Sequence, residues 1–262
     1  MGIEAMALGA GMYWGDGGGQ VRVDVRDVRV GAPYLLSDGR PGGVDVTMAD
    51  EGSGTLTCRV TSVDEVGATT EHVTAVVAAG AAAAQPATAA PPPQQDADPS
   101  VSAELLYRLF FHGPSMRVLQ SAYYPASTHP AEGRMVGVLA TDLPPIAVPP
   151  GPSATAPLLV EACLQTAGAW ELGASGRMMV PHSIEMIERF SHVESGSDRP
   201  LRAVVRPRPG TPNSVFDAEV VDAAGGVQLR VAGYRTVPFP LPIDPAPMAP
   251  VLAALAGIPP AG

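Results

Sequence analysis

Residues 158–172 read LLVEACLQTAGAWEL. Their apolar positions are Leu, Val, Ala, Cys and Trp, and only Glu161 and Gln165, four apart, place polar atoms on one shared face. A helix that is apolar on nearly every side is a buried one. A second stretch of the same kind, Gly2–Trp14 (GIEAMALGAGMYW), opens the chain. Ile3-Glu4-Ala5 matches Val160-Glu161-Ala162, and Ala10-Gly11-Met12-Tyr13 matches Ala167-Gly168-Ala169-Trp170 at the same offset. Each stretch is followed by segments in which apolar residues alternate with polar ones, the period of a half-buried strand. The pattern predicts a duplicated α+β unit: one buried helix wrapped by an antiparallel sheet, twice.

Working outward, Val21, Val23 and Val25 alternate with charged residues, and the phase then slips before Val28 and Val30, as a bulge requires. Leu56, Cys58 and Val60 alternate with Thr and Arg, and Val73, Ala75 and Val77 form a further strand. The second half begins with a short amphipathic piece, Ala103–Phe110. Strands follow near 118–124 and 135–141, a proline-rich loop at 143–157, and strands at 183–190 and 202–206. A hairpin, 215–221 with 227–237, turns through Ala223–Gly226. Residues 79–100 (AGAAAAQPATAAPPPQQDADPS) sustain no period and read as a linker. The expected organisation is a first unit over 1–78, that linker, a second unit over 101–237 and a proline-rich tail over 238–262 that starts a connection to something else. The second unit has strands ahead of its helix, whereas only Met1 and Gly2 precede the first helix, so the first unit is expected to be truncated at its N-terminus.

The chain has 262 residues, 46% apolar and 16% charged, with a net charge of −10. That balance argues against nucleic acid as a partner, because phosphate recognition needs clustered basic residues. All 16 basic residues are Arg, which excludes phosphate-loop and Schiff-base lysine chemistry. Cys58 and Cys163 lack a CxxC partner, and His72, His112, His129, His182 and His192 have no HExxH-like spacing, so neither a metal nor another cofactor is expected. The N-terminus has no charged signal region, and the Ala-rich run near 75–90 is too weakly hydrophobic to span a bilayer. A cytoplasmic location away from membranes is the expectation.

Glu161 and Gln165 carry the strongest chemical signal, and two readings stand side by side. They can form a narrow solvent-facing stripe completed by Gly168 and Leu172. Alternatively, the carboxyl points into an acyl tunnel and is oriented by its neighbouring amide, where burial favours its protonated, proton-donating form. Pro157-Leu158-Leu159-Val160-Glu161-Ala162-Cys163-Leu164-Gln165 resembles the hydrophobic-Asp-Ala-x-x-Gln motif of polyketide-synthase dehydratase domains. Phe111-His112-Gly113-Pro114-Ser115-Met116 resembles that family's Tyr-Gly-Pro motif, and Val180-Pro181-His182-Ser183-Ile184 its Leu-Pro-Phe-x-Trp motif. Met1–Ala7 resembles the central helix of the family's first repeat, especially in iterative and polyunsaturated-fatty-acid-type synthases.

The resemblance implies a double hotdog fold and loss of water from a β-hydroxyacyl chain on an acyl carrier protein, giving an α,β-enoyl thioester. In the family a histidine of the first hotdog removes the α-proton and an aspartate of the second assists the departing hydroxyl. By position Glu161 takes the acid's place and Gln165 its supporting amide, while His112, Gly113, Pro114, Pro181 and His182 fall where the family lines its substrate tunnel. The family's His-x-x-x-Gly-x-x-x-x-Pro segment would precede the first helix, so activity is expected if that segment is supplied. His72 reads as a solvated or half-buried residue of an edge strand, and His129 and His192 as turn and loop residues. His112 has a second reading, as a turn residue that packs and hydrogen-bonds locally. The alternatives are a non-catalytic acyl-binding relative and another hotdog thioester enzyme. Other synthase domains and a second copy of the chain are expected partners.

Overall fold

The strands anticipated from alternation pair into a single sheet. A computed structural model describes residues 2–14, 22–33, 43–80, 85–88, 90–125, 133–143, 155–190, 200–210 and 214–259. The chain runs α1 (Gly2–Trp14), β1 (Val23–Val30), β2 (Asp45–Gly52), β3 (Thr55–Val63), β4 (Thr69–Ala79), β5 (Ser100–Ser102), α2 (Ala103–Leu109), β6 (Leu119–Tyr123) and β7 (Met135–Leu139). It continues through α3 (Pro157–Ser175), β8 (Met179–Arg189), β9 (Arg202–Pro207), β10 (Val215–Val221), β11 (Val227–Pro238) and α4 (Pro245–Ala254). The strands line up as β2-β3-β4-β1-β8-β11-β10-β9-β7-β6-β5. All neighbours are antiparallel.

Two helices pack against this sheet, one in each repeat. α1 packs on β1–β4, and α3 on β6–β11. The units join where β1 pairs with β8, with Val25 opposite Ile187 and Val28 opposite Ile184. The inward side chains of the strands, among them Val25, Val28, Leu56, Cys58, Val77, Ile187, Phe216 and Val231, form one core with both helices. The slip foreseen in β1 is present: its register against β4 shifts between Arg26 and Arg29, and Asp27 adopts a left-handed φ of 50°. The bulge restores the inward direction so that both Val25 and Val28 are buried.

α1 departs from the expectation that it is covered on all sides. Met6, Ala7 and Ala10 are buried, but Met12 is 72% and Tyr13 55% exposed. The sheet of the first unit reaches one face of the helix, and the Tyr13 hydroxyl instead bonds Asp50 on β2 at 2.8 Å. β2 itself is exposed along nearly its whole length, so no alternation marks it in the sequence.

Small residues set how closely helix and sheet approach. A Cβ added to Gly137 on β7 would stand 2.1 Å from Thr166 Oγ1 and 3.0 Å from Leu119 Cδ2. Thr166 has little freedom to withdraw, because its hydroxyl donates to the Ala162 carbonyl at 2.7 Å. Gly137→Ala is therefore expected to cost about 1–3 kcal/mol through overpacking, despite alanine's better intrinsic fit to ordered backbone. Chemical denaturation checks this, and an unchanged midpoint would mean that β7 and α3 have room between them.

The segments bounded by proline are more ordered than their composition suggests. Thr88 N–H donates to Gly225, Val227 N–H donates to Pro86, and Tyr123 O–H donates to Pro92, which fastens these residues to the second unit. In the tail, read from its prolines as a connection, residues 245–254 form a helix. Asp244 caps it by accepting from Ala246 N–H at 2.9 Å, and Pro245 occupies the first turn, where its missing N–H costs nothing. Val251, Leu255 and Ile258 are buried, the latter two against α3 at Gly173. Among the described residues no helix is long and apolar enough to cross a membrane.

Candidate active site

The site forms where the loop after α2 meets the face of α3 that carries Glu161 and Gln165. Ser102 caps α2, and the helix ends by Phe110, whose N–H closes on the Leu106 carbonyl. The chain then turns through His112 and Gly113 into a short 3-10 turn at Pro114–Met116. Two contacts of Arg117 hold this loop: its Nε donates to the His112 carbonyl at 3.1 Å, and its guanidinium lies over the Tyr107 ring. α3 is entered at Pro157 and left through Gly176, whose left-handed φ of 67° ends the helix. Gly168 of α3 admits the Phe110 ring, which a Cβ there would meet at 3.1 Å.

These elements bring together three of the residues singled out in the sequence. His112 Nε2 stands 2.9 Å from Glu161 Oε1. Gln165 Nε2 donates to the same oxygen at 2.9 Å and to the Met116 carbonyl at 2.6 Å. Gln165 and Leu172 are buried and Glu161 retains 15% side-chain exposure, so this face is not a solvent stripe. The His112 ring stacks on Phe111 and tilts against Phe110. Phe111, 67% exposed, also touches Phe239 at the end of β11, so aromatic rings line the approach to His112. Gly113 and Pro114 are exposed on the loop. Pro181 is half-buried and His182 exposed on β8, and no hydrogen bond, ion pair or ring contact joins either to Glu161 among the described residues.

Sequence reasoning missed Tyr107 and Arg117, which lie on no recognised motif. Tyr107 donates its hydroxyl proton to Gln165 Oε1 at 2.7 Å and accepts from Leu119 N–H at 2.8 Å, and burial pushes its phenol upward. His72 needs correction. β4 lies inside the sheet rather than at its edge, and His72 is buried, with Nδ1 2.8 Å from the Ala32 carbonyl and Nε2 2.7 Å from Ser62 Oγ. His129 and His192 lie outside the described residues. The Cys163 thiol is pushed far up by burial and by Glu219, which removes it as a nucleophile. Among the described residues no three His, Cys, Asp or Glu side chains are placed to hold a metal ion.

The family model described as the polyketide synthase dehydratase N-terminal domain matches residues 80–244, more than half of the sequence. The chain belongs to the polyketide synthase dehydratase family. Solved dehydratases share its fold. A trans-AT polyketide synthase dehydratase domain from Brevibacillus brevis is similar at 17% identity and a TM-score of 0.70, over 90% of this chain and 83% of that one. A dehydratase domain of a mycocerosic acid synthase-like synthase is similar at 23% identity and 0.62, over 89% and 78%. Inactive histidine-to-phenylalanine and aspartate-to-asparagine mutants of the CurK dehydratase of curacin synthase are each similar at 14% identity and 0.65, over 90% of this chain and 82% and 83% of theirs. No curated protein matches in sequence.

In this dehydratase-family chain the two repeats use their matching carboxylates differently. Glu4, the counterpart of Glu161, is 2% exposed and accepts hydrogen bonds from both the N–H and the hydroxyl of Thr155, just ahead of α3. Its charge also supports Arg189, whose guanidinium is pulled down by burial and raised again by Glu4. Glu4 is thus a fastening between repeats, while Glu161 faces a histidine. A third carboxylate, Glu171 on α3, is 1% exposed and accepts from Thr236 Oγ1 at 2.9 Å. Burial pushes the pKa of its carboxyl up, and bonds from Ser214 and Thr236 offset this only in part. A raised folded value means that the native state holds this proton more tightly, so the contribution is present at low pH and lost as pH rises through the folded value. Glu171→Gln does not titrate, so its stability relative to the parent is expected to rise as pH increases from about 4 to 8. Thermal unfolding across that range checks this, and a gap independent of pH would contradict it.

Proposed function

We propose that this chain is a dehydratase unit acting on β-hydroxyacyl thioesters of an acyl carrier protein, with Glu161 as the acid that hands a proton to the departing hydroxyl. The observation that carries the reading is the Glu161 carboxyl itself, pinned through one oxygen by Gln165 and His112 on a buried helix of a dehydratase-family fold. An α-proton is only weakly acidic and hydroxide is a poor leaving group, so elimination needs a base and an acid across one bond. In the step, the Cα–H bond breaks toward the base, its electrons form the C=C bond, and the C–O bond breaks as Glu161 supplies the proton that completes water. The CurK mutants carry the same lesson for that protein, where loss of a histidine or of an aspartate gives an inactive enzyme.

The base is the part not assigned to the described residues. His72 has both ring nitrogens engaged, His182 is exposed away from Glu161, and His112 is turned to Glu161. The elimination therefore runs once a histidine segment joins the first hotdog. His112, Gly113 and Pro114, with Pro181 and His182 of β8, form the wall along which the acyl chain enters. α1 favours the iterative or polyunsaturated-fatty-acid type of synthase, and the working setting is cytoplasmic, among other synthase domains and as a homodimer. The organisation into a unit over 1–78, a linker over 79–100, a unit over 101–237 and a tail over 238–262 fits this reading.

Glu161 also favours a second reading. A glutamate where the family's motif has aspartate shifts the carboxyl by one methylene, and a misplacement of about 1 Å costs on the order of a hundredfold in rate. A chain so altered acts as a non-catalytic acyl-binding module. Mass spectrometry of a β-hydroxyacyl carrier protein incubated with the chain, with and without an added His-x-x-x-Gly-x-x-x-x-Pro segment, separates the two. Loss of water in the supplied enzyme supports the dehydratase. Binding without loss of water in either mixture supports the module and overturns the first reading, as does release of free acid, which marks a thioester hydrolase.

A further inference from the structure

The orientation of Glu161 is set from outside the motif that contains it. The Leu119 backbone N–H can only donate, so at 2.8 Å the Tyr107 oxygen accepts from it. The single hydroxyl proton of Tyr107 then goes to the Gln165 side chain 2.7 Å away, and the atom it meets must be the amide oxygen. From the other end, the Met116 carbonyl can only accept, so the Gln165 atom 2.6 Å from it must be nitrogen. Two independent anchors thus fix the amide in one orientation and aim its remaining N–H at Glu161 Oε1.

Oε1 then accepts from Gln165, and His112 Nε2, 2.9 Å from that same oxygen, is the ring nitrogen placed to donate to it. The other ring nitrogen agrees with this assignment. Nδ1 is buried with no hydrogen-bond partner among the described residues, and an N–H there would be an orphaned donor. Glu161 Oε2 receives no hydrogen bond from the described residues.

We infer that Tyr107 is a positioning residue: through Gln165 it makes Glu161 Oε1 the accepting oxygen, holds His112 in its Nε2–H form, and leaves Oε2 as the oxygen that carries the proton. The assignment of Oε2 to proton delivery rests on the proposed dehydratase reading; the hydrogen-bond direction does not. Tyr107 reaches the reacting carboxyl only by way of an amide, so it tunes the acid without touching substrate.

Long-range nitrogen–proton correlation of the histidine rings in the full chain, at alkaline pH where imidazole is neutral, tests the inference. His112 is expected to show the Nε2–H form alone. Tyr107→Phe should lose that single form and give averaged ring-nitrogen signals. In a Gln165→Ala background Tyr107→Phe should change the His112 signals no further, because its route is gone. A purely structural role would instead give additive changes. The Nδ1–H form in the parent chain overturns the assignment, as do additive changes or unaltered His112 signals in folded Tyr107→Phe. If Tyr107→Phe does not fold, the form seen in the parent chain decides alone. Absence of water loss from β-hydroxyacyl substrates would sink the dehydratase proposal and leave these ring signals as they are.

Discussion

Glu161→Gln, in the enzyme supplied with its histidine segment, is expected to lower turnover by about 10²–10⁴-fold, the usual worth of a positioned acid. The substitution is close to a pure removal of the proton. An amide oxygen at the same place still accepts from Gln165 Nε2 and from His112 Nε2, each now 2.9 Å from Oε1. The loop, the Arg117 brace and the Phe110–Gly168 contact need not move, so the thermal midpoint should stay near that of the parent. Steady-state assay of enoyl product together with thermal unfolding checks both halves. Turnover within about threefold of the parent would remove Glu161 from the mechanism.

The matching change in the other repeat should give the opposite outcome. Glu4→Ala is expected to cost about 3–5 kcal/mol of stability, the range for breaking a buried charged contact from one side. It strands two buried donors of Thr155 and withdraws the charge that supports the desolvated Arg189. The loss corresponds to a fall in thermal midpoint on the order of 10 °C for a chain of this size. Glu4→Gln should recover part of it, since an amide oxygen still accepts from Thr155 but carries no charge for Arg189. Chemical denaturation of both variants reads this directly, and a loss below about 1 kcal/mol for Glu4→Ala would show that Glu4 does not fasten the repeats.

The architecture was legible where burial imposes a period. α3 stands out because most of its side chains are buried, α1 because its apolar run matches that of α3, and β3, β10 and β11 because alternate residues face inward. Even the bulge in β1 left its mark, since the phase of valines must slip for Val25 and Val28 both to point inward. β2 left none, because an exposed strand at the sheet's edge has no need to alternate. α4 was hidden by its prolines, three of which the helix accepts, Pro245 in its first turn. His72 was misjudged because its burial depends on β1 pairing on one side of β4, a long-range fact with no local sign.

The site was legible as a set of residues but not as a set of contacts. Glu161 and Gln165 were joined by helical spacing alone, whereas the meeting of His112 with Glu161 needs Tyr107, Phe110 and the loop after α2 to pack on α3. Tyr107 lies close to His112 in sequence and 58 residues from Gln165, so only the fold reveals that it governs the amide. The likeness of Glu4 to Glu161 correctly marked the duplication. It could not tell that one copy is sealed by Thr155 and the other left facing a histidine.

Running the reaction backwards tests whether Glu161 handles the proton of the β-hydroxyl. An α,β-enoyl thioester on an acyl carrier protein is incubated in deuterium oxide with the chain and its histidine segment, and the product is read by mass spectrometry. A β-hydroxyacyl product with one carbon-bound deuterium at the α position is expected, formed with the parent chain and lost with Glu161→Gln. Recovery of the enoyl thioester unchanged and free of deuterium, with the carrier protein bound to the folded chain, would contradict it.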